Sequence, residues 1–479
     1  MLETAFFLIF VFLVLSFLNM RLGIYAILFI GFLQDPLRKL VPGEPVYMSV
    51  LVVIFAFATY MGGRMQHTML RLDTVPEWQQ RLKSISLVFL VLILLQCMAA
   101  FAYTGSLFLA GIGFMAYLSP FPALQLSYSF ANRSERIVAF LRLYLLINAL
   151  MCAGVYLSQM GIDWTVLHTV GEDLIVYSLE GSAIALPAGF YRTPELAAWH
   201  CASGACIALA LGLSSRRQTT LWSHGLLAVF FVGAVLLSGR RKFLVEIVVF
   251  LPVFLFFLYR LRLASTKFLS GVALAALVGV GLATSGIASD DTIANFRDAS
   301  ARGEARDESM AEELLSRVHL MTVQSLPYVI EQNGFFGSGA GSGSQGAQYF
   351  GGGSDLVGLA AEGGLGKVLA ELGVPGLLVL LALGFTLVAY VWQTLKLVSK
   401  HSPRIANLTA GLTAFLIANG TVFVTAAQAF GDLFVLLILG FMLGFIIAIR
   451  RLVQASINAQ ASASAMAQPR DLRGEAERT

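Results

Sequence analysis

The stretch "LLSGRRKFLVEIVVF", residues 236–250, sets three cations, Arg240, Arg241 and Lys242, between two apolar runs. Each run belongs to a longer, mostly apolar segment of the kind that spans a bilayer, whose core of about 30 Å needs roughly 20 residues of helix. Cations beside a membrane span ordinarily mark a cytoplasmic loop. Whether that explanation applies here depends on how the rest of the chain crosses the membrane.

The composition indicates a membrane protein. Of the 479 residues, 57% are hydrophobic and 13% are charged, and the mean hydropathy is +0.78. A soluble domain carries about 25% charged residues. The net charge of +4 is small and does not indicate a nucleic-acid partner. The four cysteines lie in or beside apolar segments without the spacing of a metal site, so we expect no metal and no cofactor.

The length rule for spans predicts an all-α, polytopic integral membrane protein with about 12–13 transmembrane helices. The second predicted span is short and could be re-entrant, and Pro120 and Pro122 are expected to kink or end the fifth. The N-terminal run has an acidic Glu3 and no basic region, which favours a span over a signal peptide. The predicted spans are 4–19, 22–34, 46–63, 84–103, 106–126, 137–157, 198–213, 220–238, 243–260, 266–285, 374–396, 405–425 and 430–449.

The basic loops predict the orientation. Clusters that include Arg64, Arg133, Arg216 and Arg450 all fall on one side of this span pattern, which the positive-inside rule makes cytoplasmic. The N-terminus is then periplasmic and the C-terminus cytoplasmic. The 239–242 loop lies on the periplasmic side, so its cations need an explanation other than topology.

This pattern divides the chain into four regions. Residues 1–285 form an N-terminal transmembrane bundle with an outer loop at 158–197, and residues 286–373 form a large periplasmic loop. The C-terminal transmembrane helices occupy 374–451, and the small, polar residues 452–479 are expected to be a disordered cytoplasmic tail.

Four outer arginines are candidate pyrophosphate ligands: Arg192, Arg240, Arg241 and Arg317. A guanidinium keeps its charge and offers a planar fork that fits phosphate oxygens. Arg192 precedes a helix start at Thr193-Pro194, whose positive end favours anions. The alternative for the arginines of the long loop is pairing with that loop's own acids.

The long loop contains a predicted amphipathic helix. Within 307–334, Met310, Leu314, Val318 and Met321 recur at helical spacing, and Asn333-Gly334 ends the pattern. His319 on this helix is a candidate for acid–base chemistry, whereas His200 is better explained as a satisfied structural group. The glycine-rich stretch that follows lacks the ending of a nucleotide-binding loop.

The segments "LLSGRRKFLVEIVVF", "SRVHLMTVQSLPYVIEQNGFFGSGAGSGS" and "AAEGGLGKVLAELGVPGLLVLLAL" together resemble the O-antigen ligase and O-antigen polymerase superfamily of bacterial envelope glycosyl transferases. "GFYRTPELAA" is weakly similar to another segment of that family. The resemblance covers roughly 185–385 and includes the many spans and the large loop before the last helices.

The resemblance implies glycan transfer from an undecaprenyl-pyrophosphate-linked donor to a sugar hydroxyl, on another glycan or on lipid A core, at the periplasmic face. It implies that Arg240 and Arg317 hold the leaving group and that Glu371-Leu-Gly373 turns into the next span. The family's ligases usually have a histidine where this chain has Glu362, so Glu362 becomes the candidate base. The alternatives are His319, Asp355, or transfer without a side-chain base. The implied enzyme is metal-independent and works among membrane lipids.

Two other classes of function fit the composition. A transporter would place charges near the middle of its spans, and the predicted spans hold none there. A non-catalytic component of a polysaccharide assembly or export complex would use the long loop as a docking surface.

Overall fold

A computed structural model describes residues 2–70, 81–170, 175–177, 183–215, 217–263, 316, 319–343 and 363–467. Its helices are α1 Leu2–Leu18, α2 Met20–Leu40, α3 Leu51–Met65, α4 Arg81–Thr104, α5 Leu107–Leu118, α6 Pro120–Phe130, α7 Ser134–Gln159, α8 Pro194–Ser214, α9 Gln218–Leu237, α10 Leu244–Arg260, α11 Ser325–Asn333, α12 Gly364–His401, α13 Pro403–Thr425 and α14 Leu433–Ala467. A small antiparallel hairpin joins β1, Ile175–Tyr177, to β2, Ala183–Ala185, with Val176 opposite Ile184.

The prediction of an all-α polytopic membrane protein is confirmed. Within the described ranges, ten helices are long and apolar enough to cross a membrane, counting α5 and α6 as one span. Two further helices, α1 and α10, have 17 residues each and coincide with predicted spans. The predicted span at 266–285 lies outside the described residues.

The ends of three helical segments differ from the sequence prediction or define it more closely. The second span is a full helix of 21 residues. The fifth is broken, as its prolines predicted, because α5 stops at Leu118 and α6 starts with Pro120 at its first position. The prediction of a disordered tail is wrong for 452–467, which continue α14 as helix. That stretch is rich in alanine, whose helix propensity is the highest, and residues 468–479 lie outside the described part.

Helix α8 forms the centre of the bundle, with α7, α9, α10 and α13 packed around it. Its sequence "AAWHCASGACIALA" is rich in small residues, which let neighbouring helices approach closely. Gly204 faces the ring of Phe231 and the amide of Asn148, and Gly411 of α13 faces Ala210. Close packing against four neighbouring helices therefore fixes the position of α8 and of the turn that precedes it.

Long-range contacts show which loops share an end of the bundle. At one end, Arg192 pairs with both Asp35 and Asp432, which joins the ends of α2, α8 and α14. At the other end, the Arg451 guanidinium donates to the carbonyl of Ala131 at 2.8 Å. This grouping agrees with the alternation of loops predicted from the sequence. We call the end that carries Arg192 the acidic–basic corner.

Candidate functional site

Arg192 lies in the acidic–basic corner, immediately before α8. Thr193 caps that helix as predicted, its hydroxyl accepting the N–H of Leu196 at 3.4 Å. The Arg192 guanidinium lies 2.9 Å from Asp432 Oδ2 and 3.9 Å from Asp35 Oδ1. The guanidinium also donates to Ser49 Oγ at 2.9 Å, and its backbone N–H donates to Asp35 Oδ2 at 3.1 Å. Arg192 therefore serves here as a clamp between segments that are distant in the chain.

Arg240 lies in the same corner on the turn between α9 and α10. The turn is tight because Gly239 adopts φ 68°, which favours glycine. Arg240 Nη2 lies 2.8 Å from Glu195 Oε1 at the start of α8. Within the described structure the buried Nε of Arg240 has no hydrogen-bond partner. One carboxylate thus neutralises part of this guanidinium and leaves donors for another anion.

Lys242 connects the turn between α9 and α10 to the link between α13 and α14. Its ammonium group donates to Gln428 Oε1 and lies 5.9 Å from the ring centre of Phe243. Gln428 belongs to the short 3₁₀ turn Ala427–Gly431 that links α13 to α14. Arg241 starts the 3₁₀ turn Arg241–Phe243, and its side chain is outside the described part. The GRRK turn is therefore tied to both α8 and the α13–α14 link.

A buried polar network fixes the helices beneath this corner. Glu246 in the first turn of α10 is fully buried, and its Oε1 accepts from Ser203 Oγ at 2.9 Å and from Asn419 Nδ2 at 3.0 Å. Asn419 Oδ1 in turn accepts the indole N–H of Trp199 at 2.8 Å. Hydrogen bonds of this kind in a buried site hold α8, α10 and α13 in one arrangement.

The glycine-rich segment 334–343 packs into a break in α12. Helix α12 bends at Gly373, which has φ 66° and ψ −171°. The carbonyls freed by the bend accept loop N–H groups instead: Ser338 N–H to Ala370 at 2.7 Å and Gly339 N–H to Glu371 at 3.2 Å. Gln96 of α4 also donates to the carbonyl of Phe336 at 2.7 Å. Non-helical backbone in a membrane protein needs such internal partners, because lipid supplies none.

Glu371 anchors the far end of this loop. Its side chain is 1% exposed, Oε2 accepts the Tyr117 hydroxyl at 2.6 Å, and Oε1 accepts the Gly343 N–H at 3.1 Å. The resemblance had placed Glu371 only in a turn into the next span. The structure shows that it joins α5, α12 and the loop, and sequence spacing gave no signal for its partner Tyr117.

An apolar cavity of about 460 Å³ opens beside this anchor, between α4–α6 and α12–α14. Tyr117 and Asn419 line it, and so does Lys367 in the first turn of α12. Phe430, two residues after the Gln428 that holds Lys242, lines it as well. Lys367 is a candidate that the sequence alone did not single out.

The chain segments that contain the two candidate bases, His319 and Glu362, pack against each other at Met321 and Gly363. His319 is exposed just before the π-helical turn Leu320–Gln324. A Cβ added to Gly363, the residue after Glu362 in the chain, would lie 3.3 Å from Met321 Cβ and 3.0 Å from the Val424 carbonyl. Both chain segments therefore meet at the end of α13. Glu362 and Arg317 themselves lie outside the described residues.

Other predictions on this loop and on His200 are confirmed. Helix α11 ends at Asn333, and Gly334 follows with φ 75°. Met321 is buried, as its place in the apolar pattern predicted. His200 is 3% exposed, its Nδ1 lies 3.1 Å from the Tyr144 hydroxyl, and its ring stacks on Tyr191. It is a structural group, not a base.

Comparison with known proteins agrees with these features. Residues 226–381 match the family model described as O-antigen ligase. That range starts in α9 and ends in α12, so it includes Arg240, the glycine-rich segment and Glu371. A search among curated proteins finds no match. The chain is a multi-pass membrane protein, and the match over residues 226–381 supports the predicted resemblance to the O-antigen ligase and polymerase superfamily.

Proposed function

We propose that this protein transfers a glycan from an undecaprenyl-pyrophosphate-linked donor to a sugar hydroxyl at the periplasmic face of the bacterial inner membrane. It acts as a polysaccharide polymerase or an O-antigen-ligase-like enzyme, with a growing glycan or lipid A core as acceptor. The observation that carries the proposal is the O-antigen ligase match over 226–381, within which Arg240 lies at a bundle end and its buried Nε has no partner among the described residues.

Arg240 binds the pyrophosphate leaving group in this proposal. Negative charge develops on the phosphate oxygens as the glycosidic bond breaks, and fixed cations at that position stabilise it. A guanidinium has five N–H donors, so Arg240 can bind phosphate oxygens while Glu195 keeps Nη2 in place. Arg241 and Arg317 add charge from the neighbouring segments. Arg192 keeps the corner assembled through Asp35 and Asp432 and supports the site without binding the donor.

The apolar cavity beside Lys367 accommodates the first part of the polyprenyl tail. Its lining is largely aliphatic and aromatic, and it opens between helices, as a lipid-linked substrate requires. Lys367 then lies where the tail meets the pyrophosphate and adds a fourth positive charge to those of Arg240, Arg241 and Arg317. The glycine-rich segment, anchored on Glu371, closes the same region from the other side.

The acceptor hydroxyl must lose a proton during transfer. Glu362 and His319 are the candidate bases, and the packing of Gly363 on Met321 supports their placement near one another. A carboxylate in the position of the family histidine can take the proton when its surroundings favour the neutral form. The acceptor sugar would enter from the periplasmic side, above the end of α13.

The test is turnover in nanodiscs. Purified protein receives an undecaprenyl-pyrophosphate oligosaccharide, and release of undecaprenyl pyrophosphate is followed for wild type, Arg240→Ala and the matched control Arg260→Ala. Arg260 lies exposed at the opposite end of α10. We expect release with glycan lengthening in wild type and control, and at least a hundredfold loss in Arg240→Ala, since removal of one transition-state donor costs about 10²–10³ in rate.

A second variant separates chemistry from folding. Glu195→Gln breaks the same ion pair but leaves the Arg240 cation in place, so it should retain most of the activity. Failure of wild-type protein to release undecaprenyl pyrophosphate, with lipid A core or other glycans supplied, would refute the transferase. Solute flux in liposomes would then favour a transporter, and loss of polysaccharide export on loop deletion alone would favour an assembly component.

A further inference from the structure

A second and larger cavity adjoins the first and shares Ser86, Phe121 and Leu124 with it. It has a volume of about 890 Å³, within the range of ligand sites, and is enclosed by α3, α4, α5 and α6. Most of its lining is apolar, and its two cations, Arg64 and Lys83, flank the connection from α3 to α4. Arg64 is in the last turn of α3 and Lys83 in the first turn of α4. We call this cavity the α3–α4 groove.

The cationic end of the groove is remote from the acidic–basic corner. Asp35, a member of that corner, lies in the last part of α2, and α3 then runs back across the bundle. Arg64 at the end of α3 is therefore at the opposite end, together with Gln66, whose amide donates to the carbonyl of Phe17 at 3.0 Å. The groove adjoins the cavity beside Lys367, but its cationic end lies at the opposite end of the bundle from Arg240, and the inference does not depend on the proposed glycan transfer.

The two cations are available to an anion. Arg64 donates to the Tyr60 hydroxyl at 3.1 Å and to Gln125 Oε1 at 3.4 Å, both neutral acceptors that also line the groove. Among the residues that the structure describes, no carboxylate lies within ion-pair distance of Arg64 or Lys83. Both side chains are exposed. Two cations of this kind at the mouth of an apolar cleft match the phosphate and tails of a lipid in charge and polarity.

The groove also has the length of a lipid tail. Both Val53 and Arg64 line it, and this stretch of α3 spans about 17 Å at roughly 1.5 Å per residue. Half of a bilayer core is about 15 Å thick. A chain that starts at the headgroup level beside Arg64 can therefore lie entirely within the groove. Phe57, Leu90 and Leu118 supply apolar contacts along it.

We propose that the α3–α4 groove binds an anionic glycerophospholipid, with its phosphate between Arg64 and Lys83 and its acyl chains along α3 and α4. Basic pockets between transmembrane helices select anionic headgroups by this combination of charge and apolar wall. The lipid fills the space between the α3 and α4–α6 segments. The α5–α6 break at Ser119 and Pro120 faces the same groove through Ser119 and Pro122.

Native mass spectrometry of delipidated full-length protein tests the proposal. Phosphatidylglycerol, phosphatidylcholine and undecaprenyl phosphate are added separately to wild type, to the double variant Arg64→Gln/Lys83→Gln and to Arg81→Gln. Arg81 is the matched control, since it is exposed at the same end of α4 but does not line the groove. We expect phosphatidylglycerol binding to weaken about thirtyfold in the double variant, from about fivefold per cation near a membrane surface, and to be unchanged in Arg81→Gln.

A second variant tests the apolar part. Leu118→Trp narrows the groove without changing charge and should also weaken phosphatidylglycerol binding. Equal phosphatidylglycerol affinity in wild type and the double variant overturns the proposal. Equal affinity of wild type for phosphatidylcholine, or tighter binding of undecaprenyl phosphate, overturns the assignment to an anionic glycerophospholipid.

Discussion

The clamp around Arg192 gives a prediction that separates a structural role from substrate binding. In Arg192→Met, Asp35 and Asp432 lose their common partner. Their side chains are 7% and 3% exposed, and that of Arg192 is 14% exposed, so solvent cannot replace the cation. Removing one partner of a buried ion pair costs about 3–5 kcal/mol. That corresponds to a change of roughly a hundredfold to a few thousandfold in the folded-to-unfolded ratio, at about 1.4 kcal/mol per factor of ten.

The assay is chemical unfolding in mixed micelles, followed by circular dichroism, together with donor turnover. The triple variant Arg192→Met/Asp35→Asn/Asp432→Asn removes all three charges at once and should recover most of the lost stability, since a neutral replacement of a buried ion cluster is often tolerated. It should also regain glycan transfer. The clamp interpretation is refuted if Arg192→Met unfolds like wild type while its KM for the donor rises. Arg192 would then be a pyrophosphate ligand, as its place before α8 first indicated.

Three further predictions concern α12. Glu371→Gln and Tyr117→Phe should each lower the free energy of unfolding by about 1.5–3 kcal/mol, the range for a hydrogen bond to a charged group, and the double variant should cost less than the sum. Gly373→Ala should reduce yield and thermal stability, because φ is 66° and the new Cβ would meet the Phe335 carbonyl, whereas Gly384→Ala meets open space and should be neutral or stabilising. Lys367→Gln should raise the KM for the lipid-linked donor several-fold with a smaller effect on kcat, and Lys367→Arg should restore it; unchanged kinetics would exclude Lys367 from the donor site.

The membrane architecture could be predicted because its physical cause is local. A span needs a run of apolar residues of a given length, whatever its neighbours, since the lipid is the same for every helix. Every predicted span that falls on described residues coincides with a helix. The same holds for the break at Pro120 and the cap at Thr193, where one residue's covalent geometry or hydrogen-bonding group acts on the next turn.

The helix at 452–467 shows where local reasoning was incomplete. The stretch was judged by its polarity, and its alanine content was given no weight. Helix propensity and continuity with the buried half of α14 extend the helix to Ala467. Hydropathy alone distinguishes a segment buried in the membrane from one exposed to water. It does not show whether a polar segment is helix or coil.

The candidate site was determined partly by the sequence and partly by the tertiary structure. From the sequence alone came the approximate position of the spans, the resemblance over roughly 185–385, and the arginines at the ends of helices. Only the tertiary structure decided that Arg192 pairs with Asp35 and Asp432, whereas Arg240 pairs with Glu195 and has no partner for its Nε among the described residues. The same holds for Lys367 and Tyr117, which packing brings to one cavity. Burial in lipid is a property of each segment by itself, whereas the partner of a charge is set by which segments pack together, and that depends on the whole bundle.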